Sequence, residues 1–177
     1  AFYKVGPREM YIGGSDGIAL YKDGVITNLS YEGMMDIGTV RDFISYDGAL
    51  IISSNLGLFE YRDGKFSNFG NVDDVCYTIE LDNHGNIWFG TEAGLFMLEN
   101  GKARRIELRR NPGSNFINFI HHKDGRLYVG SNNGLFILSK LNSKEPKVTR
   151  YGLSEGLVNL ETNLNSGFFD KQGNFWF

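Results

Sequence analysis

The stretch that decides the fold is LDNHGNIWFGTEAGLFMLENG, residues 81–101. It holds a polar turn at residues 82–86, a Trp-Phe pair, a Gly-Leu pair and a second turn, Asn100-Gly101. Taken alone, the first turn has the acidic and polar residues of a short metal-binding loop. An EF-hand loop also needs alternating ligands and a distant bidentate Glu, which this stretch lacks. Whether the stretch is a metal site or a building block depends on the rest of the chain.

The stretch is one copy of a repeat with a period near 40 residues. Its second glycine recurs at spacings of 40, 37 and 40 residues, at Gly17, Gly57, Gly94 and Gly134. A fifth copy begins at residues 170–177, DKQGNFWF, and repeats the turn of residues 82–86 without a histidine. The turn is therefore interpreted as a strand connection, and no metal site is predicted at His84.

Each repeat predicts four short strands joined by tight turns. In the third repeat these strands are DVCYTIELD, IWFGT, GLFMLE and KARRIEL. Glycine at 23 of 177 residues and aromatic residues at 14% favour strands and turns over helices. No segment has the sustained i, i+3, i+4 apolar spacing of a helix. Four strands with a period near 40 are typical of a β-propeller blade, so the sequence predicts an all-β propeller.

The repeats predict a single domain of about four and a half four-stranded blades. The predicted blades cover residues 1–34, 35–71, 72–113 and 114–160, and a partial blade covers residues 161–177. Because the last blade is partial, we expect an open arc whose end faces carry Phe2, Tyr11, Phe168, Phe169 and Trp176. Large exposed apolar patches seek partners, so self-association of the segment is predicted.

Composition excludes several classes of partner. The net charge is −3 and the pI is about 5.6, so no nucleic-acid-binding surface is predicted. No apolar run approaches the ~18 residues of a membrane span, so no direct membrane contact is predicted. The single cysteine, Cys76, lies in the apolar run VCYTIEL and is predicted to be a buried small hydrophobe. The chain starts without Met or a signal segment, so we expect a piece of a longer protein.

The third repeat resembles the two-component regulator propeller repeat. That pattern is Asp, two variable residues, Gly-Asn-Ile-Trp-Phe-Gly-Thr, two more residues and Gly-Leu. It is matched by Asp82, Gly85, Asn86, Trp88, Gly90, Thr91, Gly94 and Leu95. The first, second and fourth repeats depart from it, since Gly13-Gly14, Ser53-Ser54 and Gly130-Ser131 replace Gly-Thr.

The resemblance implies a sensor that lies outside the cytoplasm. Members of this family form seven-bladed propellers ahead of a β-sandwich, a membrane helix and a histidine kinase, and they detect oligosaccharides to control glycan-utilisation genes. It implies that this chain is the periplasmic, ligand-sensing segment of such a two-component regulator. The segment itself is then not an enzyme and needs no cofactor or metal, and its partners are an oligosaccharide and the adjacent propeller or β-sandwich domain.

Candidate ligand residues are sought on one rim, because propellers place function in the loops of one face. These loops lie where first strands begin, as at residues 109–115 and 154–163, and where second strands pass to third strands. Sugars need aromatic faces for their CH surfaces and forked polar groups for their hydroxyls. The candidates are Tyr31, Arg109, Arg110, Asn115, Asn132 and Tyr151. Five of them have a structural alternative: a charged edge strand for the arginines, inter-blade packing for the tyrosines and turn formation for Asn132.

Two other functions stay open from the sequence. Streptogramin-type lyases are propellers with a similar Gly-x-Ile-Trp-Phe-Thr phrase, and they need a histidine base and a divalent metal. The chain could also be an interaction scaffold. His84 falls in a turn and His121 and His122 fall in a first strand, which argues against the lyase. A β-sandwich and membrane helix downstream would favour the sensor.

Overall fold

The computed structural model describes residues 1–30, 35–108 and 116–177. The chain forms two compact units, Ala1–Cys76 and Tyr77–Phe177. Each unit is built from four-stranded antiparallel sheets in which the strands follow one another in sequence order. The predicted all-β class and the four strands per repeat are therefore confirmed.

The first unit contains two sheets. One is formed by β1 (Phe2–Gly6), β2 (Glu9–Gly14), β3 (Gly17–Lys22) and β4 (Val25–Asn28), and the other by β5 (Val40–Tyr46), β6 (Ala49–Ser54), β7 (Gly57–Arg62) and β8 (Lys65–Asn68). Asp23-Gly24 joins β3 to β4 with φ of 51° and 89°, the positive values that a type I′ hairpin requires. The core between the sheets includes Ile18, Val40, Phe43, Ile52 and Phe59.

The second unit contains two more sheets and a short strand pair. The first sheet comprises β9 (Thr78–Leu81), β10 (Ile87–Thr91), β11 (Gly94–Glu99) and β12 (Lys102–Ile106). The second comprises β13 (Ile117–Lys123), β14 (Arg126–Ser131), β15 (Gly134–Ser139) and β16 (Lys147–Tyr151). A 3-10 turn at Leu153–Glu155 follows, and β17 (Phe168–Phe169) pairs with β18 (Phe175–Trp176). The single domain and the blade limits stay predictions.

The first strand of the third repeat is shorter than the sequence predicts. The prediction began this strand at residue 74, whereas β9 starts at Thr78. The backbone N–H of Cys76 donates to the carbonyl of Ser54, so this residue does not join the ladder with β10. The Cys76 side chain is fully buried, and burial raises the pKa of its thiol to about 12. It is a packed apolar group at neutral pH, as expected.

The spacing of the repeat motif is explained by the carboxylate of Asp82. Its Oδ1 accepts the backbone N–H groups of His84 (2.8 Å) and Asn86 (2.9 Å). Its Oδ2 accepts the Asn86 amide (2.9 Å) and the indole Nε1–H of Trp88 (2.9 Å). Asp170 holds its own turn with the same four hydrogen bonds. We call residues 82–86 the clamp turn, because one carboxylate accepts the four hydrogen bonds that close it.

These hydrogen bonds also set the charge of the two aspartates. Burial raises the pKa of Asp82, but the hydrogen bonds from Asn86, Trp88 and His84 outweigh it and hold the pKa below its ordinary value. For Asp170, hydrogen bonds from Trp176 and Asn174 lower the pKa to about 2. Both carboxylates are therefore ionised at neutral pH, which strengthens the hydrogen bonds that they accept.

The motif glycine of the second strand makes room for a neighbouring side chain. A Cβ on Gly90 would overlap Ile117 of β13 in the next sheet, and a Cβ on Gly130 would overlap the ring of Phe119 in its own sheet. Both glycines therefore occupy packing positions, where an added side chain would displace its neighbour.

The tryptophan and leucine of the motif are also packing residues. Trp88 and Leu95 are fully buried in the core that the two sheets of the second unit share. The same core includes Ile120, Leu127 and Phe136. These motif positions therefore stabilise the segment and offer no surface to a ligand.

Candidate functional site

A groove lies on the rim of the second unit, where first strands begin and second strands pass to third strands. We call it the rim groove. It has a volume of about 520 Å³ and is lined by Phe116, Asn118, Asn132, Glu161, Thr162, Asn163 and Leu164. A volume of this size is typical of small-molecule sites. The lining combines one aromatic ring, one aliphatic side chain and several polar groups that can both donate and accept hydrogen bonds.

Backbone hydrogen bonds place these residues together. The N–H of Asn132 donates to the carbonyl of Phe116 (3.2 Å), which joins the turn before β15 to the start of β13. The hydroxyl of Ser131 shapes that turn, because it accepts the N–H of Asn133 (2.9 Å) and donates to the carbonyl of Gly134 (3.0 Å). Thr91 of the motif makes the same pair of bonds in the preceding repeat. The hydroxyl of the Gly-Thr position is therefore retained in Ser131.

Asn118 forms the floor of the groove, and hydrogen bonds to Thr162 fix its side chain. Asn118 is only 6% exposed, and its Nδ2 donates to the carbonyl (2.8 Å) and hydroxyl (3.1 Å) of Thr162. Thr162 is itself fixed, since its N–H (3.1 Å) and Oγ1 (3.2 Å) both donate to the carbonyl of Ser131. Because a carbonyl can only accept, the amide nitrogen of Asn118 must face Thr162.

The amide oxygen of Asn118 has no donor in the described part of the chain. Its two side-chain hydrogen bonds are both made by Nδ2, so Oδ1 is left as an acceptor on a residue that lines the groove. A buried polar atom gains most from a hydrogen bond when water is displaced from around it. The floor therefore offers an oriented acceptor to a ligand hydroxyl.

The wall of the groove carries an aromatic pair. The rings of Phe116 and Tyr77 lie 4.4 Å apart between centroids, with an angle of 43° between their planes. The Tyr77 hydroxyl donates to Oε1 of Glu92 (2.7 Å), which lies in the turn between β10 and β11. This bond fixes the orientation of the Tyr77 ring, which in turn supports Phe116. Tyr77 of the third repeat and Phe116 of the fourth repeat therefore form one aromatic cluster along the rim.

The predicted ligand residues are distributed unevenly. Asn132 lines the rim groove and is half-buried. Tyr151 ends β16, where it pairs with Leu135; it is 37% exposed and does not line the groove. The remaining predicted residues, Tyr31, Arg109, Arg110 and Asn115, lie outside the described residues. The binding role of all six stays a prediction.

Sequence reasoning missed most of the groove. Phe116 adjoins the predicted rim loop at residues 109–115, and residues 161–163 end another predicted rim loop at residues 154–163, so position alone could have singled them out. Asn118 gave no such signal. It lies within β13, and its partner Thr162 is 44 residues further along the chain.

The histidines lie away from the groove. His84 is in the clamp turn, and His121 and His122 lie in β13, where their buried Nε2 atoms have no partner among the described residues. In residues 1–30, 35–108 and 116–177, no three His, Cys, Asp or Glu side chains are grouped as a metal site. The same residues contain no helix with the length and apolarity needed to cross a membrane.

Comparison with known proteins supports the propeller. Residues 71–93 match the family described as "Two component regulator propeller", so the resemblance noted in the sequence is confirmed for this repeat. No curated protein sequence matches the chain.

Among solved structures, the chain is similar to the extracellular domain of a hybrid two component system of B. thetaiotaomicron, with a TM-score of 0.73 and 22% identity over 97% of this chain and 24% of that one. A second such domain from the same organism gives 0.64, with 18% identity over 99% and 31%. Virginiamycin B lyase from Staphylococcus aureus gives 0.67, with 19% identity over 99% and 68%.

These likenesses establish the fold. The chain is an all-β segment with the four-stranded sheets of a β-propeller, and it carries a two component regulator propeller repeat. It spans about a quarter of the length of the first hybrid two component system domain.

Proposed function

We propose that this chain is a ligand-sensing propeller segment of a membrane-bound two-component sensor, and that the rim groove binds an oligosaccharide. The observation that carries the proposal is the acceptor Oδ1 of Asn118, which has no donor among the described residues, in a groove that Phe116 also lines. The match of residues 71–93 to the two component regulator propeller repeat supports the sensor assignment. The fold shared with extracellular domains of hybrid two component systems supports it further.

The groove has the two kinds of surface that a sugar ring requires. The ring of Phe116 offers an apolar face to the CH groups of a pyranose, and the aromatic contact is held in place by Tyr77. Asn118, Asn132 and Asn163 offer amide groups to its hydroxyls. A hydroxyl both donates and accepts, so a sugar hydroxyl can donate to Oδ1 of Asn118 and pair with the amide groups of Asn132 and Asn163.

The rest of the signalling path lies in the longer protein that we propose. This segment senses the ligand without chemistry of its own, and an adjacent propeller or β-sandwich domain passes the signal through the membrane to a histidine kinase. The output is control of glycan-utilisation genes. In this arrangement the segment is periplasmic.

We favour this function over a lyase of the streptogramin type. A lyase requires a histidine base at the ligand, whereas the described lining of the rim groove contains no histidine. His121 packs against the rings of Phe119 and Phe175 instead, and His84 lies in the clamp turn. The fold shared with virginiamycin B lyase is compatible with both functions.

Calorimetric titration with a panel of glycan fragments tests the binding proposal. Phe116→Leu keeps an apolar side chain but removes the ring, so we expect it to weaken binding up to about tenfold, since an aromatic contact contributes about 0.5–1.5 kcal/mol. Phe66→Leu is the matched control, because Phe66 is a half-buried ring in the first unit. Absence of heat from every fragment, or equal weakening by both variants, would contradict the proposal.

Localisation has its own test. An export-dependent reporter enzyme fused next to this segment in the full-length protein should be active if the segment lies outside the cytoplasm. A reporter that is made in full but stays inactive would show that the segment is cytoplasmic.

A further inference from the structure

We propose that the rim groove selects neutral oligosaccharides and disfavours anionic ones such as uronic-acid or sulfated fragments. The inference rests on the proposed function, because it concerns the class of glycan that the same groove takes. It follows from the charges placed in and beside the groove.

A carboxylate lines the groove. Glu161 is exposed at its edge, and within the described residues it takes part in no ion pair. The other described lining side chains are uncharged: Phe116, Asn118, Asn132, Thr162, Asn163 and Leu164. The described lining therefore carries one negative charge and no positive charge. Among the described residues, the charge of the lining therefore opposes a ligand carboxylate or sulfate.

A second carboxylate stands beside the aromatic wall. Glu92 accepts the Tyr77 hydroxyl at 2.7 Å, and the Tyr77 ring contacts Phe116. Glu92 is therefore connected to Phe116 through the side chain of Tyr77. It is exposed and forms no ion pair in the described ranges. Glu161 and Glu92 therefore both add negative charge to this part of the rim. Like charges brought together across an interface disfavour binding, which is how charge gives specificity.

The uncharged polar groups of the lining can form hydrogen bonds with the hydroxyls of a neutral sugar. The Asn118 Oδ1 acceptor lies on a side chain more than nine-tenths buried, and this acceptor has no partner among the described residues. A ligand carboxylate or sulfate presents only acceptors, so it cannot pair with this oxygen, whereas a sugar hydroxyl can donate to it. The floor and the two carboxylates therefore favour the same class of ligand. The groove volume of about 520 Å³ suits a short oligosaccharide.

The test compares length-matched neutral, uronic-acid and sulfated oligosaccharides by calorimetry on the whole chain at low ionic strength. Neutral fragments should bind more tightly than anionic ones. Glu161→Gln should tighten binding of the uronic-acid fragment relative to the neutral fragment about two- to fivefold, the effect of one exposed charge pair. Added salt should shrink this gain, because salt screens exposed charges.

Glu107→Gln is the matched control. It makes the same change of charge at an exposed residue that lies outside the groove, beside Arg105, so it should alter neither affinity. Tighter binding of anionic than of neutral fragments would overturn the inference while the oligosaccharide function stands. Absence of binding by every fragment would overturn both.

Discussion

Replacing Asp82 by asparagine tests how the repeat motif holds its turn. The carbonyl of the new amide could still accept the backbone N–H groups of His84 and Asn86, which lie 2.8 and 2.9 Å from Oδ1 of the aspartate. The amide nitrogen would take the place of Oδ2, and it is a donor facing two donors, the Asn86 amide and the Trp88 indole, each 2.9 Å away. Two of the four hydrogen bonds are lost.

The cost follows from where those two donors lie. Trp88 is fully buried, so its N–H has no water to turn to, and an unsatisfied buried donor costs about 1–3 kcal/mol. Asn86 is half-buried and can turn its amide to solvent, which costs less. We therefore expect Asp82→Asn to lower the free energy of unfolding by about 2–4 kcal/mol.

Urea unfolding followed by tryptophan fluorescence measures this loss. The chain has two tryptophans, so a Trp176→Phe background leaves Trp88 as the single reporter. Asp124→Asn is the control, because Asp124 is an exposed turn residue at φ 49°, a conformation that asparagine tolerates. It should change stability by less than about 0.5 kcal/mol. Equal stability of the two variants would refute the proposed role of the Asp82 carboxylate.

The other predictions concern packing, pH and association. Trp88→Ala removes a buried aromatic ring and should lower the free energy of unfolding by about 3–5 kcal/mol, whereas His84→Ala should change it by less than about 0.5 kcal/mol. Equal losses of stability in thermal unfolding would contradict the placement of His84 in a surface turn. Burial lowers the pKa of His121, so stability should fall as pH drops below about 6.5, where the unfolded state binds the proton first. His121→Leu should flatten the melting temperature between about pH 7.5 and 5.5, and an unchanged slope would contradict this. Phe168 and Trp176 are 57% and 55% exposed, so we expect self-association; light scattering from a stable 19.9 kDa monomer would disprove it.

The strands and turns were predictable because local chemistry determines them. Asp-Gly and Asn-Gly dipeptides mark the hairpins, and Asp63, Asn100 and Asp124 all adopt the positive φ expected of such turns. The repeat period of about 40 residues located the four-stranded sheets, because each repeat carries its own set of strands and turns. The limit was reached at Cys76, whose backbone N–H bonds to Ser54, outside its own sheet. Strand propensity indicates extended backbone, but it does not show to which carbonyl a backbone N–H will donate.

The rim groove was predictable only in part. The rim was expected to lie at the turns between second and third strands, and Asn132 lies in one of them. The groove floor depends on Asn118 and Thr162, and the wall depends on Tyr77 bonded to Glu92. The Asn118–Thr162 pair is 44 positions apart in the sequence, and the Tyr77–Glu92 pair is 15 positions apart. None of these four residues is a defining position of the repeat motif. Long-range side-chain pairs of this kind arise from packing and leave no local pattern.

Amide chemical shift mapping shows whether the rim groove is the binding site. A ¹⁵N-labelled chain is titrated with the tightest-binding neutral oligosaccharide found by calorimetry. We predict that the largest shifts fall on Phe116, Asn118, Asn132 and residues 161–164, the lining of the rim groove. Largest shifts at the clamp turn around Gly85, or no shift at saturating fragment, would contradict the assignment of this groove as the sensing site.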